Sequence, residues 1–221
     1  MKEKRDQLLQ FVSDAEIVSI ISHVAPDRDA IGSTLGLFWI LKQKFPEKEI
    51  VMLNENDNRI KPGFIEGVED IRVGETKRFL EKSDVVIILD QGSWKRVAPR
   101  IPEEILDDKK VIVIDHHLTK TDIRNDIYIH KIVPATGQLI FELFEGDFEL
   151  VQRIAKPLLM AIFDDTGGFR YPGVDSETLR IAGMLLDTGL KIYEIAEEAK
   201  EIEQRIYEAG MKVVENVKFD S

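Results

Sequence analysis

Histidine and aspartate gather in four places along this chain. His23, Asp27 and Asp29 lie in SHVAPDRDAIGS, Asp90 directly follows DVVIIL, Asp115, His116 and His117 directly follow VIVI, and Asp164-Asp165 precede Thr166-Gly167-Gly168. An apolar run has no folding reason to end in a carboxylate and two imidazoles, because burying such groups unpaired costs several kcal/mol. Imidazole mixed with carboxylate is a donor set for manganese, iron, cobalt or zinc, whereas magnesium and calcium prefer all-oxygen shells. The four clusters together hold enough ligands for two metals. A dinuclear site can bind a phosphate, acidify a water, and stabilise the attacking and leaving oxygens of a displacement.

For these residues to meet, the elements before them must share an edge. EIVSIIS (16–22), EIVML (49–53), DVVIIL (84–89) and KVIVI (110–114) read as buried strands, and AIGSTLGLFWILKQK (30–44) reads as a helix with apolar residues at helical spacing. Alternation of the two predicts an α/β fold, a Rossmann-like, mostly parallel sheet with helices on both faces. From Ala135 the pattern turns helical: ATGQLIFELFEGDF, VQRIAKPLLMAIFDD and SETLRIAGMLLDTG form a C-terminal helical segment, and a charged linker helix follows from Lys191. In open parallel sheets ligands bind outside the carboxyl ends of the strands. Three of the polar clusters therefore converge on one sheet edge, and the Asp164-Asp165 cluster ends a helix that packs on that sheet.

Composition narrows the function further. The 221 residues carry no cysteine, so thiolate sites and disulfides are excluded, and a transition metal must use histidine and carboxylate. A formal net charge of -11 argues against gripping long nucleic acid by its phosphates, and a polyanionic substrate would have to be short. No apolar run reaches the roughly 20 residues of a membrane span, so the expectation is a cytoplasmic protein with no membrane partner. Neither G-x-G-x-x-G nor G-x-x-x-x-G-K-[ST] occurs, which speaks against a dinucleotide cofactor or a P-loop.

The ordered set H-x-x-P-D-x-D-x-x-G-S (23–33), a strand-end Asp90, D-H-H (115–117) and D-T-G (165–167) resembles the DHH phosphoesterase superfamily, most of all its DHH-DHHA1 group of nanoRNA, pApA and pAp hydrolases. The resemblance runs from about residue 15 to residue 190. It implies a DHH catalytic domain at 1–190, with 191–221 a linker helix toward a DHHA1-type domain absent from this chain. It also implies two divalent metal ions, manganese foremost: one held by His23, Asp27 and Asp90, the second by Asp29, Asp90, His116 and Asp165, with Asp90 bridging. His117 would contact a phosphoryl oxygen, and Asp115 would orient a neighbouring histidine. The implied activity is metal-dependent hydrolysis of short nucleotides (pApA, nanoRNA, cyclic di-AMP or pAp). The alternatives are a family II-like inorganic pyrophosphatase and a non-catalytic nucleotide-binding module, and a homodimer is left open.

Two features depart from the family pattern. Asp164 stands where the T-D-T-G signature has threonine, as a solvated bystander or as an extra carboxylate that alters metal preference. The glycine-rich GGGH-like segment of DHHA1 is missing. Of the remaining polar or aromatic residues, His130 in IYIHKIV reads as structural in an edge strand, and Trp39 as core. Arg96 is either a phosphate contact or a surface cation, and Trp94 either a loop residue or a surface beside a base.

Overall fold

The computed structural model describes residues 1–57, 60, 63–201, 204 and 208. Its elements are α1 (Lys2–Asp14), β1 (Ile17–Ile21), α2 (Arg28–Lys44), β2 (Glu49–Asn54), β3 (Arg72–Val73), α3 (Thr76–Leu80), β4 (Val85–Leu89), α4 (Trp94–Val97), β5 (Lys110–Asp115), β6 (Ile127–His130), α5 (Thr136–Phe144), α6 (Gln152–Asp165) and α7 (Ser176–Leu186). The six strands form one wholly parallel sheet in the order β3-β2-β1-β4-β5-β6. The chain winds outward from β1 to β3, then returns beside β1 and winds the other way, so the order reverses between β1 and β4. That reversal opens a crevice at the strand ends, where open α/β sheets bind ligands.

The β-branched runs are buried on both faces, and strand periodicity sends alternate side chains to opposite sides. Val85, Ile87 and Leu89 of β4, with Ile112 and Ile114 of β5, join the larger apolar cluster under α1, α2, α5, α6 and α7. Val86, Ile88, Val111 and Val113 join a smaller one under the short helices α3 and α4.

On the larger face, α2 and α6 run antiparallel at unusually close range. A Cβ on Gly32 would lie 2.4 Å from the Pro157 carbonyl oxygen and 2.9 Å from Ala161 Cβ, and one on Gly36 would lie 2.3 Å from Leu158. Only glycine permits this approach. The consequence is positional: with Gly36 beside Leu158 and Gly32 beside Ala161, the first turn of α2 and the last turn of α6 come together at the crevice.

Helix α2 starts at Arg28, two residues before the apolar periodicity begins, because the Asp27 carboxylate accepts the Ala30 N–H (2.9 Å) and caps it. Residues 192 to 201 are helical, with Ile195 buried in the larger cluster. The expected linker beyond them, at 202–203, 205–207 and 209–221, lies outside the described residues. Among the described residues no helix is long and apolar enough to cross a membrane.

Candidate metal centre

Each strand that borders the crevice delivers its polar residues by a local device. β1 ends at Ile21, and His23 is fixed behind it by its Nδ1–H, which donates to the Val24 carbonyl (2.9 Å). Asn54, at the end of β2, donates to Ser22 Oγ (2.9 Å) and to the His23 carbonyl (3.1 Å), holding the same turn. Asp90 directly follows β4 with φ 59°, in the left-handed region that aspartate tolerates better than most residues. Its N–H still bonds the Ile114 carbonyl (3.0 Å). The Asp90 Oδ1 atom accepts the Thr136 hydroxyl (2.9 Å), so its carboxylate meets the start of α5 on the larger face.

The DHH segment is fixed at each residue. Asp115 is fully buried and accepts the His117 Nδ1–H (2.7 Å) and, longer, the His117 N–H (3.3 Å). His116 Nδ1–H donates to the Val133 carbonyl (2.8 Å). His130 pairs with Asp115 across β6 and β5, and its Nε2–H donates to the His117 carbonyl (2.7 Å).

Asp29, on the first turn of α2, is fully buried and receives three donors: the N–H groups of Thr136 (2.7 Å) and Gly137 (2.9 Å) and the Ser33 hydroxyl (3.0 Å). The N-terminus of α5 thus binds an internal anion. Gly137 is required there, since a Cβ would sit 2.5 Å from Ala161 Cβ. Asp165 is the last residue of α6. Gly167 and Gly168, both at positive φ, stop that helix, and the Gly168 N–H reaches back to the Phe163 carbonyl (2.7 Å).

Three sets of ligand atoms lie within 4.8 Å of one another: His23, Asp27 and Asp90; Asp29, His116 and Asp165; and Asp90, His116 and His117. His23 Nε2 stands 3.5 Å from Asp90 Oδ2 and 3.6 Å from Asp27 Oδ2. His116 Nε2 stands 3.4 Å from Asp90 Oδ1, 3.7 Å from Asp29 Oδ2 and 3.3 Å from Asp165 Oδ2. The two oxygens of Asp90 therefore face two different histidines.

These groups fit a divalent cation. His23 and His116 each give Nδ1–H to a carbonyl, which leaves Nε2 as the atom facing the carboxylates. His116 Nε2 is buried with no hydrogen-bond partner. The clustered groups also perturb one another. Burial pushes Asp29 well up, and the Asp90 and Asp165 carboxylates add to that. Burial and then Asp90 push Asp165 up to about 7. Burial works against charged imidazoles, yet Asp27 and Asp90 hold His23 up at about 10, and Asp90 with Asp29 holds His116 up at about 10. Burial would raise Asp90, but His116 and His23 keep it below the ordinary carboxylate range. Asp115 raises His117.

Residues 17–162 match the family described as "DHH family, N-terminal domain". The chain belongs to the DHH family. Its curated relatives include two proteins named "Bifunctional oligoribonuclease and PAP phosphatase NrnA". The one from Bacillus subtilis is 24% identical over 96% of this chain and 66% of its own length. The one from Thermus thermophilus is 33% identical over 81% and 52% respectively. This DHH chain thus spans about half to two thirds of the length of these two relatives. A solved structure, that of an exopolyphosphatase-related protein from Bacteroides fragilis, covers 100% of the chain and 67% of its own, with a TM-score of 0.80 and 27% identity.

Not every residue singled out by sequence joins the DHH centre. Arg96 lies on α4 with its side chain exposed, outside the three clusters; its carbonyl accepts the Val24 N–H (2.7 Å). Trp94 is buried in the smaller core and donates to the Ile101 carbonyl (2.7 Å), so it offers no face to a base. Trp39 packs against the larger core and donates to Glu66. Asp164, adjoining Asp165, is taken by Arg28 (2.5 Å). Sequence reasoning missed Thr136, Gly137 and Asn54 as supports. The only signal of the first two is a Thr-Gly pair opening a helix, which by itself reads as a helix start.

Proposed function

We propose that this chain is a metal-dependent phosphoesterase domain acting on short nucleotides, linear di-adenylate, short oligoribonucleotides and 3′-phosphoadenosine 5′-phosphate first among them. The observation that carries this reading is Asp90, whose two carboxylate oxygens address His23 on one side and His116 on the other. One divalent ion, manganese foremost, would be held by His23, Asp27 and Asp90, and a second by Asp29, Asp90, His116 and Asp165. When bound, the pair supplies Lewis acidity toward phosphoryl oxygens and acidifies a water.

The chain's own residues supply orientation and protons. Asp115 accepts the His117 Nδ1–H and favours the protonated ring, so the half-exposed imidazolium has its Nε2–H free to donate to a phosphoryl oxygen as charge builds there. In the hydrolysis a water oxygen bonds to phosphorus, the bond from phosphorus to the ester oxygen breaks, and that oxygen takes up a proton. Beside His116 and His117 opens a cavity of about 470 Å³, flanked by Leu118, Ile132, Val133, Pro134 and Pro172. Leu118 and Ile132 are exposed, and this apolar wall next to a phosphate-handling centre suits a nucleoside. The names of the relatives, oligoribonuclease and PAP phosphatase, support the same substrate class.

The test is chromatography of linear di-adenylate and 3′-phosphoadenosine 5′-phosphate after incubation with the chain and Mn2+. Release of AMP by the wild type, abolished in Asp90→Asn, is the expected result. Both substrates intact, at Mn2+ concentrations where the ion is bound, would refute it.

A further inference from the structure

Arg28 sits between two of the proposed ligands, Asp27 and Asp29, and its guanidinium reaches three partners on two other elements. Nη1 meets Asp164 Oδ1 at 2.5 Å, Nη2 donates to the Ala199 carbonyl at 2.8 Å, and Nε lies 3.3 Å from Glu198 Oε2. The side chain is 12% exposed, and that of Glu198 is 4% exposed. We infer that Arg28 is a positioning residue that fixes the ligand-bearing ends of α2 and α6 to each other and to the helical stretch 192–201, so that metal binding and docking of that stretch are coupled. The inference rests on the metal reading of the same centre.

Three facts carry it. First, the partners lie at the junction the metal centre depends on: Asp164 precedes Asp165, and the close α2–α6 packing brings both helix ends to the crevice. Second, with its carboxylate taken by the guanidinium, Asp164 is withheld as a competing ligand beside Asp165. This explains an extra acid at a position where the related signature has threonine. Third, the arrangement needs arginine. Separate nitrogens of a planar fork bond Asp164 and the Ala199 carbonyl in fixed directions while Nε stays in ion-pair range of Glu198, whereas an ammonium is one point charge. A buried cation between two carboxylates is a poor device for stability alone, since desolvation offsets much of its attraction. Its value is geometric. Because the 192–201 stretch contributes no proposed ligand yet shares the fork, ligation on one side and docking on the other must influence each other reciprocally.

The test is Mn2+ affinity of the full chain, read from free Mn2+ by electron paramagnetic resonance. Arg28→Lys keeps the charge, and with it the long-range repulsion of the cation, but loses the fork. Affinity should fall roughly tenfold or more, the usual cost of losing a support behind a metal ligand. Equal or tighter binding overturns the inference. If Arg28→Lys does not fold, the double variant Arg28→Met with Asp164→Leu keeps the net charge and replaces the pair with apolar groups. It carries the same expectation, and unchanged affinity again overturns it. In amide hydrogen exchange, Mn2+ should slow residues 192–201 in the wild type and leave them unchanged in the variant; exchange there indifferent to Mn2+ in the wild type overturns the coupling. Wild-type protein that binds no Mn2+ sinks the metal reading and this inference together, whereas binding equally strong in wild type and variant sinks the inference alone.

Discussion

The two halves of the centre are built differently. On one side Asp29 is fully buried and held by three donors, His116 is locked to Val133, and Asp165 closes a helix end braced by the α2–α6 glycine contact. On the other, His23 gives its Nδ1–H to its neighbour's carbonyl on a turn that Asn54 holds, and the Asp27 side chain is 49% exposed with one oxygen used as a helix cap. The difference separates a preorganised position from an open one. A ligand fixed before the ion arrives loses less freedom on binding, so the buried side should hold its ion more tightly and the open side should exchange it. Asp90 belongs to both, with one oxygen turned to each.

The largest effect should come from erasing that shared residue. Asp90→Asn keeps the shape and the tolerance for positive φ but removes the charge from both positions; hydrolysis should fall by about a thousandfold or more, and both Mn2+ sites should weaken in a binding titration. Loss of only one ion would break the idea of a shared carboxylate. Next, Asp29→Asn and Asp27→Asn set the two halves against each other. The first places an amide where three donors converge, and the tight site should disappear. The second should spare the tight site and weaken only the looser one. If Asp27→Asn abolishes the tight site, the ranking is wrong.

A smaller effect tests the scaffold. Gly32→Ala puts a methyl against the Pro157 carbonyl oxygen and Ala161, and overpacking of this kind costs on the order of 1–3 kcal/mol. In urea unfolding the variant should lose about that much, with the buried-side affinity falling more than the open-side affinity. Equal losses on both sides would detach the helix contact from the asymmetry.

The most gradual effect lies in pH. His23 and His116 are held up at about 10, above an unfolded value near 6.5, so their contribution to stability is complete below about pH 6.5 and is lost as pH rises through about 10. Asp165, raised to about 7, has the same sign at lower pH: the folded chain binds the proton more tightly, so stability falls as pH climbs from about 4 to about 7. Metal-free protein should therefore melt at progressively lower temperature from pH 4 to pH 10. Because a bound cation takes the place of these protons, stabilisation by Mn2+ should grow over the same interval. A Mn2+-induced shift in melting temperature that is flat across that range would contradict this account.

Much of the cluster was legible in the sequence because three of its four polar segments follow apolar strands. β1, β4 and β5 are neighbours in the sheet, so His23, Asp90 and Asp115-His116-His117 converge once the strands are placed in parallel. The α/β class and the three C-terminal helices followed from periodicity in the same way. Residues whose roles depend on distant partners stayed hidden. Thr136 and Gly137 act on an aspartate 107 and 108 residues away through backbone N–H groups, which carry no residue-specific signal. His130 reads as structural, and the bond it makes to the His117 carbonyl depends on the β5–β6 register. Trp94 reads as a loop residue because α4 is a single short turn, yet the second face of the sheet needs its ring as cover. Strand β3, two residues long at the sheet edge, has no period to detect.

The most direct test of the central claim is a Mn2+ titration followed by electron paramagnetic resonance on the wild type and Asp90→Asn. The account predicts two ions per wild-type chain, bound with unequal affinity, and a magnetically coupled pair at saturation that vanishes in the variant. A single uncoupled ion at saturation, or a spectrum that Asp90→Asn leaves unchanged, would contradict it.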